Sequence, residues 1–174
     1  MLRKNGDTIL HVCAGYGQAA LLAKFKEHFN DELDIKNTLH ETPFITAARE
    51  GRLNVLKLFY ERWKGQFFAD SRTKDDWTAF NYACLNGFLA TIQFLANQQY
   101  VDIHSKDRVL RNSLHWAARF NNVKVVELLL KLNLRIDAVD RENMTAIDLC
   151  RVHNSNDAEA AIQDKIKQAK EAKR

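Results

Sequence analysis

The side chains of this 174-residue chain with the most obvious chemistry are six histidines and three cysteines. Catalysis needs a base, a nucleophile or a metal cluster converging in one pocket, and their spacing provides none. His28, His40, His104 and His153 stand in unrelated sequence settings without ligand spacing, whereas His11 and His115 share one position of a recurring ten-residue pattern. Cys13, Cys84 and Cys150 are an odd number with no C-x-x-C pair, and all three fall where that pattern calls for a small residue. They read as small core side chains in a reducing compartment. Gly15-Tyr16-Gly17 lacks the following Lys-Ser/Thr and the preceding strand of a phosphate loop. The expectation is a chain with no catalytic residue, no metal site and no cofactor.

The pattern itself must position whatever function remains. TILHVCAGYG from Thr8 is followed by TPFITAAREG from Thr42, TAFNYACLNG from Thr78, NSLHWAARFN from Asn112 and TAIDLCRVHN from Thr145, starting 34, 36, 34 and 33 residues apart. A fixed period in this range marks units that bury their apolar faces only against one another. The opening Thr or Asn suits the first free amides of a helix. Two places on comes a large apolar residue (Leu10, Phe44, Phe80, Leu114, Ile147), and three further a small one (Cys13, Ala47, Ala83, Ala117, Cys150), so both share a helical face. The tenth place holds Gly17, Gly51, Gly87, Asn121 and Asn154, the residue types that accept the left-handed turn ending a helix.

These residues resemble the T-P-L-H-x-A signature of ankyrin repeats, most closely at Thr42-Pro43-Phe44 and Ser113-Leu114-His115-Trp116-Ala117-Ala118. The Pro position is kept only by Pro43 and the His position only by His11 and His115. The resemblance implies an all-α solenoid of five helix-turn-helix repeats with short hairpin fingers. It places them in a single domain, 1–174, at about 4–37, 38–74, 75–106, 107–139 and 140–170. It also implies that the column imidazoles bond backbone across neighbouring turns, and that a protein partner binds the concave side formed by fingers and first helices.

The hydrophobic content of 46% excludes a mainly disordered chain. The net charge of +4 resides in residues 165–174, with Lys165, Lys167, Lys170, Lys173 and Arg174 against Glu171, so the rest is balanced. That tail reads as a solvated helix end, its basic residues suiting the negative end of the dipole. The rival reading is an electrostatic tether for nucleic acid or an anionic membrane, and too few aromatics interleave to favour it. No stretch is apolar enough for a membrane span. The N-terminus runs into the first repeat with no separate apolar leader, so the expected location is the cytoplasm or nucleus.

Core positions expected on the second helices are Leu21, Leu22 and Phe25; Val55, Leu56, Leu58 and Phe59; Ile92, Phe94 and Leu95; and Val125, Val126, Leu128 and Leu129. In the fifth repeat Arg151 replaces the small residue found at Ala14, Ala48, Cys84 and Ala118, and the unit reads as a polar cap. Positions just before the Thr column and near the Gly/Asn column point outward. They include Tyr16, Glu41, Arg49, Glu50, Lys74, Trp77, Leu85, Asn86, Arg111, Arg119 and Phe120.

Of these, Trp77, Leu85, Arg111, Arg119 and Phe120 lie in adjacent repeats and are expected to form the principal contact patch, with Arg49, Lys74 and Asn86 beside it. A second candidate patch is Trp63, Phe67 and Phe68 in the longest repeat. Its aromatics either tuck beneath a prolonged helix or lie open to a partner. The function expected is a non-catalytic adaptor or scaffold. The alternative is a fixed subunit, assembly chaperone or inhibitor of a larger complex, and the chain alone is either monomeric or one part of a hetero-complex.

Overall fold

The computed structural model describes residues 5–29 and 32–172. Among them are ten helices and no strand: α1 (Ile9–Gly15), α2 (Ala19–Phe29), α3 (Pro43–Arg49), α4 (Leu53–Arg62), α5 (Ala79–Leu85), α6 (Leu89–Ala96), α7 (Ser113–Arg119), α8 (Val123–Lys131), α9 (Ala146–His153) and α10 (Asn156–Glu171). They group into two compact units, Met1–Asp102 and Ile103–Arg174. Residue 4, where the first repeat was expected to begin, and Lys173 and Arg174 of the basic tail lie outside the described residues.

The polar column starts helices as its chemistry demands. The side chains of Thr42, Thr78 and Thr145 each accept the amide three residues on at 3.3 Å, and Asn112 accepts those of Leu114 and His115 at 3.1 and 3.2 Å. Pro43 sits in the first turn of α3, where its missing N–H costs nothing. The tenth column turns left-handed throughout, with φ of +73° at Gly17, +66° at Gly51, +77° at Gly87, +53° at Asn121 and +56° at Asn154. At Gly51 there is a second reason for glycine, since an added Cβ would come within 2.8 Å of the Phe88 ring.

In the first unit α3 packs between α1 and α5. These helices approach through Cys13, Ala14, Ala47, Ala48, Ala83 and Cys84, all buried. In the second unit α7 meets α9 and α8 meets α10, with Ala117, Ala118 and Cys150 buried.

Five expected core positions are corrected, among them Phe25, which is only half-buried. Leu21 is 44% exposed, because Leu22 and Ala23 carry the inward face of α2. Leu128 is only half-buried, while Leu130 is buried beside Val125, Val126 and Leu129. The inward stripe of α8 therefore runs i, i+1, i+4, i+5, and a residue at i+3 falls to its side. Leu58 and Phe94 are likewise half-buried. Helix α4 is also not prolonged; it ends at Arg62, with Trp63 as its C-cap. Arg151 is exposed and pairs with Glu159 at 2.9 Å, so the polar replacement faces away from the core.

Between helix pairs the chain forms hairpin turns rather than paired strands. Each is closed by a backbone bond, from the amides of Asn37, Thr73, Asp107 and Asp140 to the carbonyls of Glu41, Trp77, Arg111 and Met144 at 2.9–3.0 Å. The same four residues brace their turns from inside. Oδ1 of Asn37, Asp107 and Asp140 each accepts two amides within the turn, and the Thr73 hydroxyl accepts the amide of Trp77. His40, Asp76, Leu110 and Asn143 take the left-handed conformation in these fingers, φ +60° to +63°.

Candidate functional site

The fingers and first helices carry the polar side chains that hold neighbouring repeats together, and the histidine column is the centre of that arrangement. His11 and His115 are buried at 1% exposure at the third position of α1 and α7. Nδ1 of His11 receives the Thr8 amide at 3.2 Å, and Nδ1 of His115 receives that of Asn112 at 3.3 Å. An acceptor Nδ1 leaves the proton on Nε2. That nitrogen lies 2.8 Å from the Glu41 carbonyl oxygen in the first unit and 3.2 Å from the Met144 carbonyl oxygen in the second. The imidazoles thus bond backbone across neighbouring turns, and burial pushes both below the usual histidine range. Asn81 and Asp148 fill the same position in α5 and α9 and also take their cap amides, at 3.0 and 2.9 Å.

In the first unit the outward residues are mutually engaged. Arg49 pairs with Glu41 at 3.0 Å and with Glu50 at 2.8 Å. Glu41, expected to point outward, is buried at 1%, because the guanidinium and the Asn37 amide cover its carboxylate. Asn86 is exposed and donates to the Arg49 carbonyl at 2.8 Å. Trp77 is half-buried with its ring 5.1 Å from that of Tyr82, Leu85 is half-buried, and Lys74 is exposed.

In the second unit Arg111, Trp116, Arg119 and Phe120 form one cluster. Arg111 is fixed by Asp140 at 2.8 Å, with both side chains nearly buried. Burial opposes the charge on Asp140, yet the amides of Met144 and Glu142 and the Arg111 guanidinium together hold its carboxyl below the ordinary value. The Trp116 and Phe120 rings stack at 6.2 Å and 15°. The Arg119 guanidinium lies 5.5 Å from the Trp116 ring centre and 5.7 Å from that of Phe120, while Arg111 lies 5.5 Å from the Trp116 ring. Trp116 is itself anchored, its indole N–H donating to Asp107 Oδ2 at 2.8 Å. Phe120 is 58% exposed.

Residues 61–142 match the family model for ankyrin repeats in three copies. These residues are built of ankyrin repeats. It is also similar to the protein named neurogenic locus notch homolog protein 1 of Xenopus laevis, Mus musculus and Homo sapiens, 25% identical in each case over 146 residues, or 84% of this chain. The chain spans 6% of the length of these relatives. Ankyrin repeats generally mediate protein–protein interaction, and the family is typically non-enzymatic.

The second candidate patch divides. Trp63 is buried at 6%, and Phe67 is half-buried in a ring cluster, 4.9 Å from Phe44 and 5.0 Å from Phe59. Phe68 stands out at 74% exposure. With Tyr60, Phe67, Asp70 and Tyr100 it lines an open hollow of about 510 Å³. The Tyr60 hydroxyl is buried there without a hydrogen-bond partner among the described residues, and burial, with the Asp70 carboxylate adding, pushes it up to about 12. Among the described residues no three His, Cys, Asp or Glu side chains are grouped to hold a metal, and no helix is long and apolar enough to cross a membrane.

The bracing column of Asn37, Thr73, Asp107 and Asp140 escaped sequence reasoning. Its signal was available: a short polar residue stands five places before Thr42, Thr78, Asn112 and Thr145 alike.

Proposed function

We propose that this chain is a non-catalytic adaptor or scaffold that binds a protein partner through the concave side of its repeats, with finger residues and the first helices in contact. The observation that carries this reading is the Trp116–Arg119–Phe120 cluster. It places aromatic area and a guanidinium at a half-exposed surface, held rigid by Asp107 from below. Aromatic and arginine side chains held in place in advance lose little rotamer freedom on binding, which is why they dominate interface energetics. Trp77, Leu85 and Asn86 of the first unit extend the same reading, with Arg49, Lys74 and Arg111 as flanking polar groups. A pull-down comparing the wild type with Trp77→Ala/Phe120→Ala tests it: recovery of the partner should fall at least tenfold, and equal recovery would remove the concave face from consideration.

A second reading, a fixed subunit or assembly chaperone of a larger complex in the cytoplasm or nucleus, is favoured by one observation. Phe68 and Tyr100 are 74% and 79% exposed beside the hollow, more open aromatic surface than a free-standing chain usually keeps. Sedimentation of the isolated chain separates the two, since a monomer at high concentration opposes the fixed-subunit reading.

A further inference from the structure

Arg49 and Arg119 occupy the same position, the eighth, in two copies of the ten-residue pattern, yet their surroundings are opposite in charge. Arg49 is flanked by Glu41 just before its helix cap and by Glu50 just after it, and pairs with both. The equivalent neighbours of Arg119 are Arg111 and Phe120. Among the described residues no carboxylate lies within ion-pair distance of the Arg119 guanidinium, which rests against two ring faces. Glu142 lies 3.9 Å from Arg111, and the two buried acids nearby are otherwise engaged. Asp107 accepts the Val109 and Arg111 amides and the Trp116 indole N–H. Asp140 accepts the Glu142 and Met144 amides and Arg111.

From His104 to Phe120 the chain carries four basic residues, Lys106, Arg108, Arg111 and Arg119, against Asp107 alone, which is buried. A guanidinium resting on aromatic faces keeps its N–H edge directed outward, in the fork geometry that fits a carboxylate bidentately. Where the second repeat supplies Glu41 and Glu50 from its own chain, the fourth leaves that role to another molecule.

We infer that Arg119 is the receptor for a carboxylate of an acidic peptide segment in the partner, with the Trp116 and Phe120 rings taking the apolar groups beside that carboxylate. This rests on the proposed protein-binding function and names the partner's chemistry. The site accepts an Asp or Glu side chain or a chain terminus, and discriminates against the corresponding amide because a neutral acceptor gives up the charge-assisted pair.

The test uses the full chain and two synthetic peptides, one of alternating Glu and Phe and one of alternating Gln and Phe. Binding is followed by NMR of the arginine side-chain Nε–H signals. The Glu peptide should shift the Arg119 signal and bind roughly tenfold or more tighter than the Gln peptide. Arg119→Gln should remove that preference, and Arg119→Lys, which keeps the charge and loses the fork, should reduce it without abolishing it. Arg135→Gln, the same charge change at an exposed site paired with Asp137, should preserve it; equal loss in Arg135→Gln would reduce the effect to net charge and overturn the inference. Equal binding of the two peptides, or no shift of Arg119 with either, also overturns it. A partner protein recovered equally by wild type and Arg119→Gln but lost from Trp77→Ala/Phe120→Ala would remove the carboxylate and leave the protein-binding function standing.

Discussion

Nε2 of His11 lies 2.8 Å from the carbonyl oxygen of Glu41, thirty residues further along the chain, while Nδ1 of the same ring takes the amide of Thr8. One neutral imidazole therefore closes the cap of its own helix and ties it to the next finger. His115 repeats the arrangement with Asn112 and Met144.

Protonating either ring puts a proton on Nδ1 against the amide N–H it accepts when neutral, although the Thr8 hydroxyl oxygen at 2.9 Å and Asn112 Oδ1 at 2.7 Å also lie beside these nitrogens. Burial holds both below their ordinary value of about 6.5 in the folded chain. The unfolded chain then binds more protons, so stability is full above about pH 6.5 and declines as pH falls below it, until the folded-state rings also titrate. The slope should be at most about 1.4 kcal/mol per pH unit for each histidine. Urea unfolding between pH 7.5 and 5 measures it, and a flat profile would contradict the buried neutral tautomer.

Gly51→Ala should destabilise more than Gly65→Ala. Both positions have positive φ, +66° and +80°, but a Cβ at Gly51 meets Phe88 at 2.8 Å, whereas one at Gly65 meets nothing within 4 Å. Backbone strain alone costs about 1 to 2 kcal/mol, and the ring contact at Gly51 should add at least about 1 kcal/mol. Chemical denaturation midpoints of the two variants decide it.

Asp140→Asn leaves the nearly buried Arg111 with only the exposed Glu142 carboxylate, 3.9 Å away, in place of its 2.8 Å pair, whose side chains are 11% and 1% exposed. Breaking one partner of such a pair costs about 3 kcal/mol, and removing both, as Arg111→Met/Asp140→Asn, should recover part of that loss. A double-mutant cycle by thermal unfolding reads the coupling.

Leu129→Ala should cost about 2 to 5 kcal/mol and Leu128→Ala clearly less, because Leu129 is fully buried and Leu128 is not. Equal losses would place the inward stripe of α8 where periodicity alone had put it.

Helix starts and stops were legible because each rests on one residue's local chemistry. Thr42 and Asn112 cap, and Gly51 and Asn121 turn left-handed, whatever surrounds them. The small columns at Ala47, Ala83 and Ala117 were legible because a close helix approach tolerates few alternatives. Which leucine of Val125 to Leu130 faces inward was not, since a three-leucine run fits two stripes about 60° apart and the packing partner chooses between them. The candidate site was legible in composition but not in state. Residue type placed Arg49 and Arg119 outward alike, and only the arrangement of Glu41 and Glu50 shows that the first is already occupied.

The carboxylate of Asp34 holds the Phe68 amide at 3.0 and 3.1 Å, and that of Asp70 holds the Asp102 amide at 2.9 and 3.0 Å. These clasps grip the second repeat just after its extra residues, so the surplus length bulges out at Gly65 and the following finger keeps its register. Lys64-Gly65-Gln66 is thus a blister in the chain that can be lengthened, tagged or fused to a reporter while the helices on either side keep their places.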